Sequence, residues 1–173
     1  MPHEQRVPAA SDIFDVLAKL DIAYVRHDHE PVYTCEEAER AVPDTGDAAH
    51  TKNLFLRDKK GRRHWLVVTL CSKAVDLRLL APLVGADNLS FASAERLAQH
   101  LQITPGAVTA LALIADLQHQ VELVVDTDAW RHDALRCHPL VNTSTLVVSR
   151  EDLQRFFDFT GHVPRILNVP ARV

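Results

Sequence analysis

Residues 50–70 read HTKNLFLRDKKGRRHWLVVTL and predict a β-hairpin. His50–Arg57 and Arg63–Leu70 have the composition of strands, and Asp58–Arg62 between them contains the glycine of a turn. Along a strand, alternate side chains share a face, so Lys52 lies with Leu54 and Leu56 while Asn53 lies on the opposite face.

The segments outside the hairpin predict both helices and strands. Predicted helical segments are Ser11 to about Leu20, Cys35–Ala41 under a capping box of Thr34 and Glu37, Val75–Leu83, Ser93 to about Leu101, a helical turn at Asp128–Leu135, and a last helix capped by Ser149 and Asp152 that ends at Gly161. Predicted strands are Ile22–Arg26, Leu89–Phe91, Leu111–Ile114, Val121–Asp126 and Thr143–Val148, and Val42–Ala49 is a polar turn segment. Because these elements do not alternate strictly, we expect an α+β fold with a mostly antiparallel or mixed sheet, in a single domain over residues 1–173.

Composition limits the class of protein. The chain has 173 residues, of which 47% are hydrophobic and 24% charged, as in packed globular domains. Val108–Ala115 is far shorter than the roughly 20 apolar residues of a membrane span, and Met1–Ala10 lacks the apolar core of a secretory signal. We therefore expect a cytoplasmic protein that makes no contact with a membrane.

The cysteines and the net charge restrict the chemistry further. Cys35, Cys71 and Cys137 are far apart and form no Cys-x-x-Cys motif, so we expect three free thiols in a reducing compartment. The net charge of −4 argues against general coating of nucleic acid but permits a local basic patch. The richest basic cluster is the hairpin tip, with Lys59, Lys60, Arg62 and Arg63, which is either a solvated turn or a contact for RNA phosphates.

Three places carry polar residues suited to a site. Lys52 and Asn53 start a strand and either line a cleft or are simply exposed at the strand end. The Pro105–Gly106 bend is either a plain turn or a loop that lets a ligand approach the backbone. His138 precedes Pro139 and is either a structural histidine or a group that hydrogen-bonds a substrate.

Other chemistries have less support. A nucleophilic pair of Cys137 and His138 is disfavoured because such pairs meet through the fold rather than by adjacency. His27 and His29 could present two imidazoles to a metal, but no third ligand is identifiable by spacing. Glycine-rich phosphate loops and the common hydrolase motifs are absent from the sequence, so we expect no cofactor and no metal.

Taken together, the three places match one family in order and approximate spacing. Residues 51–56 read TKNLFL, residues 103–108 read ITPGAV, and residues 138–143 read HPLVNT. On these motifs the chain resembles the freestanding prolyl-tRNA editing proteins, the YbaK/ProX family, over essentially its whole length. The resemblance implies a central mixed, partly barrel-like sheet flanked by helices.

The resemblance also implies hydrolysis of the ester between a wrongly attached amino acid, alanine in the first place, and the 3′ end of the proline tRNA. Implied catalytic residues are Lys52, Asn53 and His138, and implied substrate-binding residues are Thr104, Pro105, Gly106, Ala107 and Asn142. The implied partners are the acceptor stem and 3′ end of a mischarged tRNA, with prolyl-tRNA synthetase as a further candidate.

Two departures from the family pattern bear on the choice of amino acid. Ala110 stands where the family often has proline, and Ala115–Asp116 where an Asn-Asp pair is common. A deacylase for another substrate, such as cysteinyl-tRNA, therefore remains an alternative. A tRNA-binding module without catalysis is a separate alternative from another class of protein.

Overall fold

The predicted hairpin forms part of the larger of two sheets. The structure is a computed structural model that describes residues 12–42 and 44–173. Strand β2 is Thr51–Arg57 and strand β3 is His64–Leu70, and they pair antiparallel with Lys52 opposite Thr69. Strand β3 is buried over nearly its whole length, as expected for an inner strand.

The remaining elements surround this hairpin. The helices are α1 Asp12–Lys19, α2 Cys35–Ala41, α3 Leu77–Leu83, α4 Ala94–Leu101, α5 Thr127–Trp130 and α6 Arg150–Thr160. The other strands are β1 Tyr24–Asp28, β4 Ser90–Phe91, β5 Val121–Asp126, β6 Ala134–Cys137, β7 Ser144–Ser149 and β8 Arg165–Leu167. In the described part of the chain, no helix has the length and hydrophobicity that a membrane crossing requires.

The strands form a five-stranded and a three-stranded sheet. The first has the order β4-β2-β3-β5-β8, with antiparallel pairs around β2 and parallel pairs around β5, and the second has the antiparallel order β1-β7-β6. A parallel bridge between Ala49 and Leu135 connects them where the chain enters β2. The expected α+β fold with a mixed sheet flanked by helices is confirmed, and the sheet curls without closing into a barrel.

Helix boundaries follow the capping residues closely. The Thr34 hydroxyl accepts from the Glu37 amide, and the Glu37 side chain returns to the Thr34 amide, so the predicted capping box is confirmed. The hydroxyls of Ser93 and Ser149 accept the amides of Arg96 and Asp152 and so cap the N-termini of α4 and α6. The predicted cap at Ser11 lies outside the described residues, as does Pro43 in the predicted turn segment.

Apolar side chains cover both faces of the five-stranded sheet. On one face, Phe55 joins the larger core with residues of α1, α4 and α6. On the other face, Leu56 joins a smaller core with Trp65 and residues of α3. The alternation along β2 therefore sends Asn53 toward the larger core and Lys52 toward α3.

Two predicted elements are wrong. The run Leu111–Ile114 belongs to a buried 3₁₀ helix, Ala110–Ala115, rather than a strand, because a short apolar run has the same pattern in either structure. The helical turn predicted at Asp128–Leu135 ends at Trp130, and Ala134–Cys137 form strand β6, which was not predicted and pairs with β7. Strand β8 was not predicted, since its three residues carry little signal of their own.

The expectation of three free thiols is also wrong. Cys35, the first residue of α2, is bonded to Cys71, which follows β3, and their Cα atoms are 6.0 Å apart. Cys137 is free and buried. The fold brings together two cysteines that are 36 residues apart, a pairing that spacing does not reveal. The bond matters locally because α2 contributes no buried residue of its own.

This bond makes a prediction about stability. Replacing both cysteines, Cys35→Ser with Cys71→Ser, should lower the free energy of unfolding by about 3–4 kcal/mol, because the unfolded chain regains the freedom that a closed loop of this length removes. Denaturant unfolding measures the loss. A reducing agent should destabilise the unmodified protein by a similar amount and leave the double variant unchanged. Thiol titration of the unfolded, non-reduced protein should detect one thiol, and detection of three would contradict the assignment.

Candidate active site

Residues from separate parts of the chain meet around a cavity of about 130 Å³ at the start of β2. The predicted residues that line it are Lys52, Asn53, Pro105, Gly106 and His138. The loop before α2 and the first turn of α2 form the facing wall, with Tyr33 and Cys35 among their lining residues. The fold therefore brings all three sequence motifs to one place.

Lys52 makes no direct contact with an opposite charge among the described residues, although the Glu36 carboxylate is near enough to act against the lowering of its pKa. Its side chain is half-buried and has no hydrogen bond or ion pair with any described residue. Burial lowers the pKa of Lys52 below its ordinary value, and the nearby Arg172 guanidinium lowers it further. An unpaired, partly desolvated ammonium is suited to binding an anion or a developing negative charge.

His138 is held in one tautomer. Its Nδ1 lies 2.9 Å from the Ser144 carbonyl oxygen, which can only accept, so Nδ1 carries the proton and donates it. Nε2 then has a free lone pair, and it makes no hydrogen bond within the described part of the chain. Burial lowers the pKa of His138, so the ring is neutral at pH 7. The ring can accept a hydrogen bond from a water molecule or a substrate hydroxyl.

Asn53 belongs to two adjoining spaces. It lines the main cavity and a recess of about 30 Å³, and His138 lines both as well. The recess has room for a water molecule or a methyl group. His50 and Arg136 also line it, and two of their buried atoms, His50 Nε2 and Arg136 Nη1, have no partner among the described residues.

Gly106 permits close packing at the cavity wall. A Cβ atom at position 106 would lie 3.0 Å from Nδ2 of the Asn142 side chain and 3.2 Å from carbons of the Tyr33 ring. Asn142 Nδ2 donates to the Val32 carbonyl at 3.0 Å, and the Val32 amide donates to the Asn142 carbonyl at 3.2 Å. Asn142 thus holds the loop before α2 against the Pro105–Gly106 bend and supports the wall from behind.

Thr104 and Ala107, which flank the Pro105–Gly106 bend, are not among the residues that line the cavity. Thr104 is exposed, and its carbonyl accepts the Ala107 amide. Ala107 is buried in the larger core, so its side chain packs the bend onto the sheet rather than facing the cavity.

The thiols are unsuited to nucleophilic attack. Burial raises the pKa of Cys137 to about 12, so its thiolate is not populated near neutral pH. Cys35 and Cys71 line the cavity but are bonded to each other. Within residues 12–42 and 44–173, no three His, Cys, Asp or Glu side chains are grouped to hold a metal ion.

The basic hairpin tip lies well away from the cavity. Strands rise about 3.3 Å per residue, so the five steps from Lys52 to Arg57 span about 17 Å. Arg63 is engaged within the fold, since its guanidinium forms a two-pronged ion pair with Glu122 and lies over the Trp65 ring. Lys59, Lys60 and Arg62 are exposed.

Sequence reasoning missed several residues around the cavity. Tyr33, His50 and Arg136 lie outside the three motifs, although the alternation of β6 would place Arg136 on the side of His138. Tyr33 is 73% exposed at the cavity wall, and nothing in its local sequence distinguishes it from a surface aromatic.

Residues 29–156 match the aminoacyl-tRNA editing domain, and the chain belongs to that family.

Among its relatives is the prolyl-tRNA editing protein ProX of Acetoanaerobium sticklandii, 41% identical over 85% of this chain and 91% of the relative. Another is the prolyl-tRNA synthetase associated domain-containing protein 1 of Danio rerio, 35% identical over 94% of this chain and 88% of the relative. A solved structure described as a candidate trans-editing enzyme for prolyl-tRNA synthetase has the same fold, with a TM-score of 0.69 at 17% identity over 97% of this chain and 100% of that one.

The hydrogen bond of His138 makes a spectroscopic prediction. In nitrogen-correlated NMR spectra the ring should be neutral at pH 7 and protonated on Nδ1, and its titration midpoint should lie below the ordinary histidine value of about 6.5, because burial disfavours the charged form. The variant His138→Gln identifies the signal by removing it. A ring that is charged at pH 7, or protonated on Nε2 alone, would contradict the assignment.

Proposed function

We propose that the protein hydrolyses the ester of a mischarged tRNA, with alanyl-tRNA for proline as its substrate. The observation that carries the proposal is that Lys52, Asn53, Gly106 and His138 line one shared cavity in a chain of the aminoacyl-tRNA editing family. The names of the relatives support proline tRNA as the adaptor.

The reaction does not need a protein nucleophile. An aminoacyl ester is already activated, so positioning a water and stabilising the oxyanion can provide the catalysis. The water oxygen attacks the carbonyl carbon, the bond to the ribose oxygen breaks, and that oxygen takes up a proton. Family resemblance further suggests that the neighbouring ribose 2′-hydroxyl helps to orient the water.

Each site residue receives a role in this scheme. Lys52 binds the terminal phosphate or the developing oxyanion, which suits an ammonium without a partner among the described residues. His138 accepts a hydrogen bond from the water through Nε2, and Asn53 holds the substrate or water beside it. The Gly106 amide lies in the first turn of a 3₁₀ helix, where amides lack partners within the helix, and it can donate to the ester carbonyl.

Size selects the amino acid in this proposal. A site built for proline cannot strongly reject alanine, because a missing methylene is worth only about 1–3 kcal/mol. A second, smaller site resolves the ambiguity by admitting alanine and excluding the larger proline ring. The small cavity and its methyl-sized recess are consistent with such a site.

The tRNA body requires a separate contact, and the exposed residues Lys59, Lys60 and Arg62 are candidates for the acceptor stem. They lie beyond Arg57, which is about 17 Å along the strand from Lys52, and this separation is compatible with a duplex whose end reaches the cavity. Prolyl-tRNA synthetase, named in the descriptions of several relatives, is a further candidate partner.

The proposed role of Lys52 predicts a loss of activity when the side chain is removed. Lys52→Ala should reduce the release of labelled alanine from proline tRNA at least about a hundredfold, because it removes the cation that stabilises the phosphate or oxyanion. Circular dichroism should show an unchanged fold. Lys19→Ala, on the exposed side of α1, is the matched control and should retain full activity.

The amino acid is tested with the same assay. A panel of proline tRNA charged with alanine, cysteine, serine or proline should show rapid release of alanine and none of proline. If only cysteine were released, the proposed substrate would be cysteinyl-tRNA for proline instead of alanyl-tRNA for proline. Tight tRNA binding without any release would favour a binding module and contradict the enzymatic proposal.

The proposed contact between the hairpin tip and the acceptor stem predicts a change in tRNA binding. Replacing Lys59, Lys60 and Arg62 together by alanine should weaken tRNA binding and reduce its logarithmic salt slope by about 2–3, since each lost cation leaves a phosphate unneutralised. Arg63 is left intact because it already pairs with Glu122. The control is Arg165→Ala, an exposed arginine in β8. An unchanged slope in the triple variant would exclude the tip as a tRNA contact.

A further inference from the structure

A second concave surface begins where the active-site cavity ends. It is a groove of about 570 Å³ between the start of β2, the segment before α3, and the C-terminal segment. Lys52 lines both the groove and the cavity. A ligand that places its reacting end in the cavity can therefore continue into the groove.

The groove carries cations that the fold leaves unpaired. Arg78, Arg172 and Lys52 line it, and none of their side chains has a hydrogen bond or ion pair with a described residue. The one carboxylate in the lining, Asp76, caps α3 by accepting the amides of Arg78 and Leu79. The lining therefore carries three cations against one carboxylate, and this excess of positive charge in a chain of net charge −4 indicates a site for an anion.

An aromatic ring lies in the same surface. Phe91 lines the groove and is 63% exposed, although β4 pairs its backbone with Leu56. A ring left in water beside several cations is the combination that binds single-stranded nucleic acid, in which the cations contact phosphates and the ring stacks on a base. An acidic peptide would use the cations but has no need of the ring.

We propose that this groove binds the single-stranded nucleotides that precede the terminal adenosine of the tRNA. Arg78 and Arg172 contact their phosphates, Phe91 stacks on a base, and Lys52 lies at the junction with the aminoacyl end. The volume falls within the usual range of about 300–1,000 Å³ for ligand sites. The proposal rests on the proposed function and extends it from the ester to the RNA strand that carries it.

The test compares two substrates that differ in the strand alone. One is alanyl-tRNA for proline, and the other is alanyl-adenosine, which has the same ester but no preceding nucleotide. The double variant Arg78→Ala with Arg172→Ala should raise KM for the tRNA at least about tenfold and reduce its salt slope by about 1–2, since two phosphate contacts are lost. Phe91→Ala should raise KM at least about fivefold through lost stacking.

The second substrate isolates the groove. Arg78→Ala alone and Phe91→Ala should each change the hydrolysis of alanyl-adenosine by no more than about twofold, because that substrate does not enter the groove. Arg172 is left intact in this comparison because its guanidinium acts on the pKa of Lys52. Arg165→Ala is the control for loss of one exposed arginine and should leave both substrates unaffected. Equal losses on both substrates would overturn the proposal, because the residues would then act on the cavity itself.

A binding measurement keeps this result separate from the catalytic proposal. Fluorescence anisotropy of a labelled single-stranded RNA ending in CCA should show at least about tenfold weaker binding to the double variant, whether or not the protein hydrolyses any ester. If the unmodified protein hydrolyses neither substrate but binds the RNA through these residues, the catalytic proposal fails and the groove stands. Unchanged RNA affinity in the variants, or equally tight binding of a glutamate-rich peptide, would overturn the groove proposal.

Discussion

The ion pair between Lys73 and Asp126 fixes the segment after β3 to the end of β5. Residues of that segment line both the active-site cavity and the groove. Lys73 Nζ lies 2.8 Å from Asp126 Oδ2, 2.9 Å from Asp128 Oδ2 and 2.9 Å from the Val169 carbonyl, and the two members of the pair are 11% and 0% exposed. Thr69 donates a further hydrogen bond to Asp126. Removing one partner of such a pair leaves a buried charge at a cost of about 3–5 kcal/mol, so the segment after β3 is firmly anchored.

This anchored segment contributes to the walls of both the cavity and the groove. Cys71 lies two residues before Lys73 and bonds α2 to the sheet, which keeps the helix over the cavity. Ala74 follows Lys73, and its carbonyl accepts the Arg172 amide, which ties the C-terminal segment to the groove wall. The buried Lys73 thus helps to position α2 at the cavity and the C-terminal segment at the groove. Lys52, the other lysine at this end of the sheet, remains available to a ligand.

Local patterns predicted the parts of the fold that neighbouring residues determine. The hairpin, the capping box at Thr34 and the caps at Ser93 and Ser149 depend on residues within a few positions of one another. The 3₁₀ helix Ala110–Ala115, the disulfide and the buried Lys73 depend on partners that only the folded chain brings close. The three motifs meet at the cavity, as the family resemblance implied, but the supporting role of Asn142 depends on its contact with the loop at Val32, which no spacing in the sequence indicates.

The basic residues that are clustered in the sequence are not the same as the basic residues that are left without ion-pair partners in the structure. The hairpin tip is the densest basic run, yet Arg63 pairs with Glu122 and packs on Trp65, so part of that charge stabilises the fold. Arg78 and Arg172 lie far apart in the chain and form no sequence motif, but the fold places them with Lys52 in one groove whose lining contains a single carboxylate, Asp76, and neither guanidinium forms an ion pair with a described residue. In this chain the fold, and not the local density of basic residues, therefore determines which cationic side chains remain available to an anion.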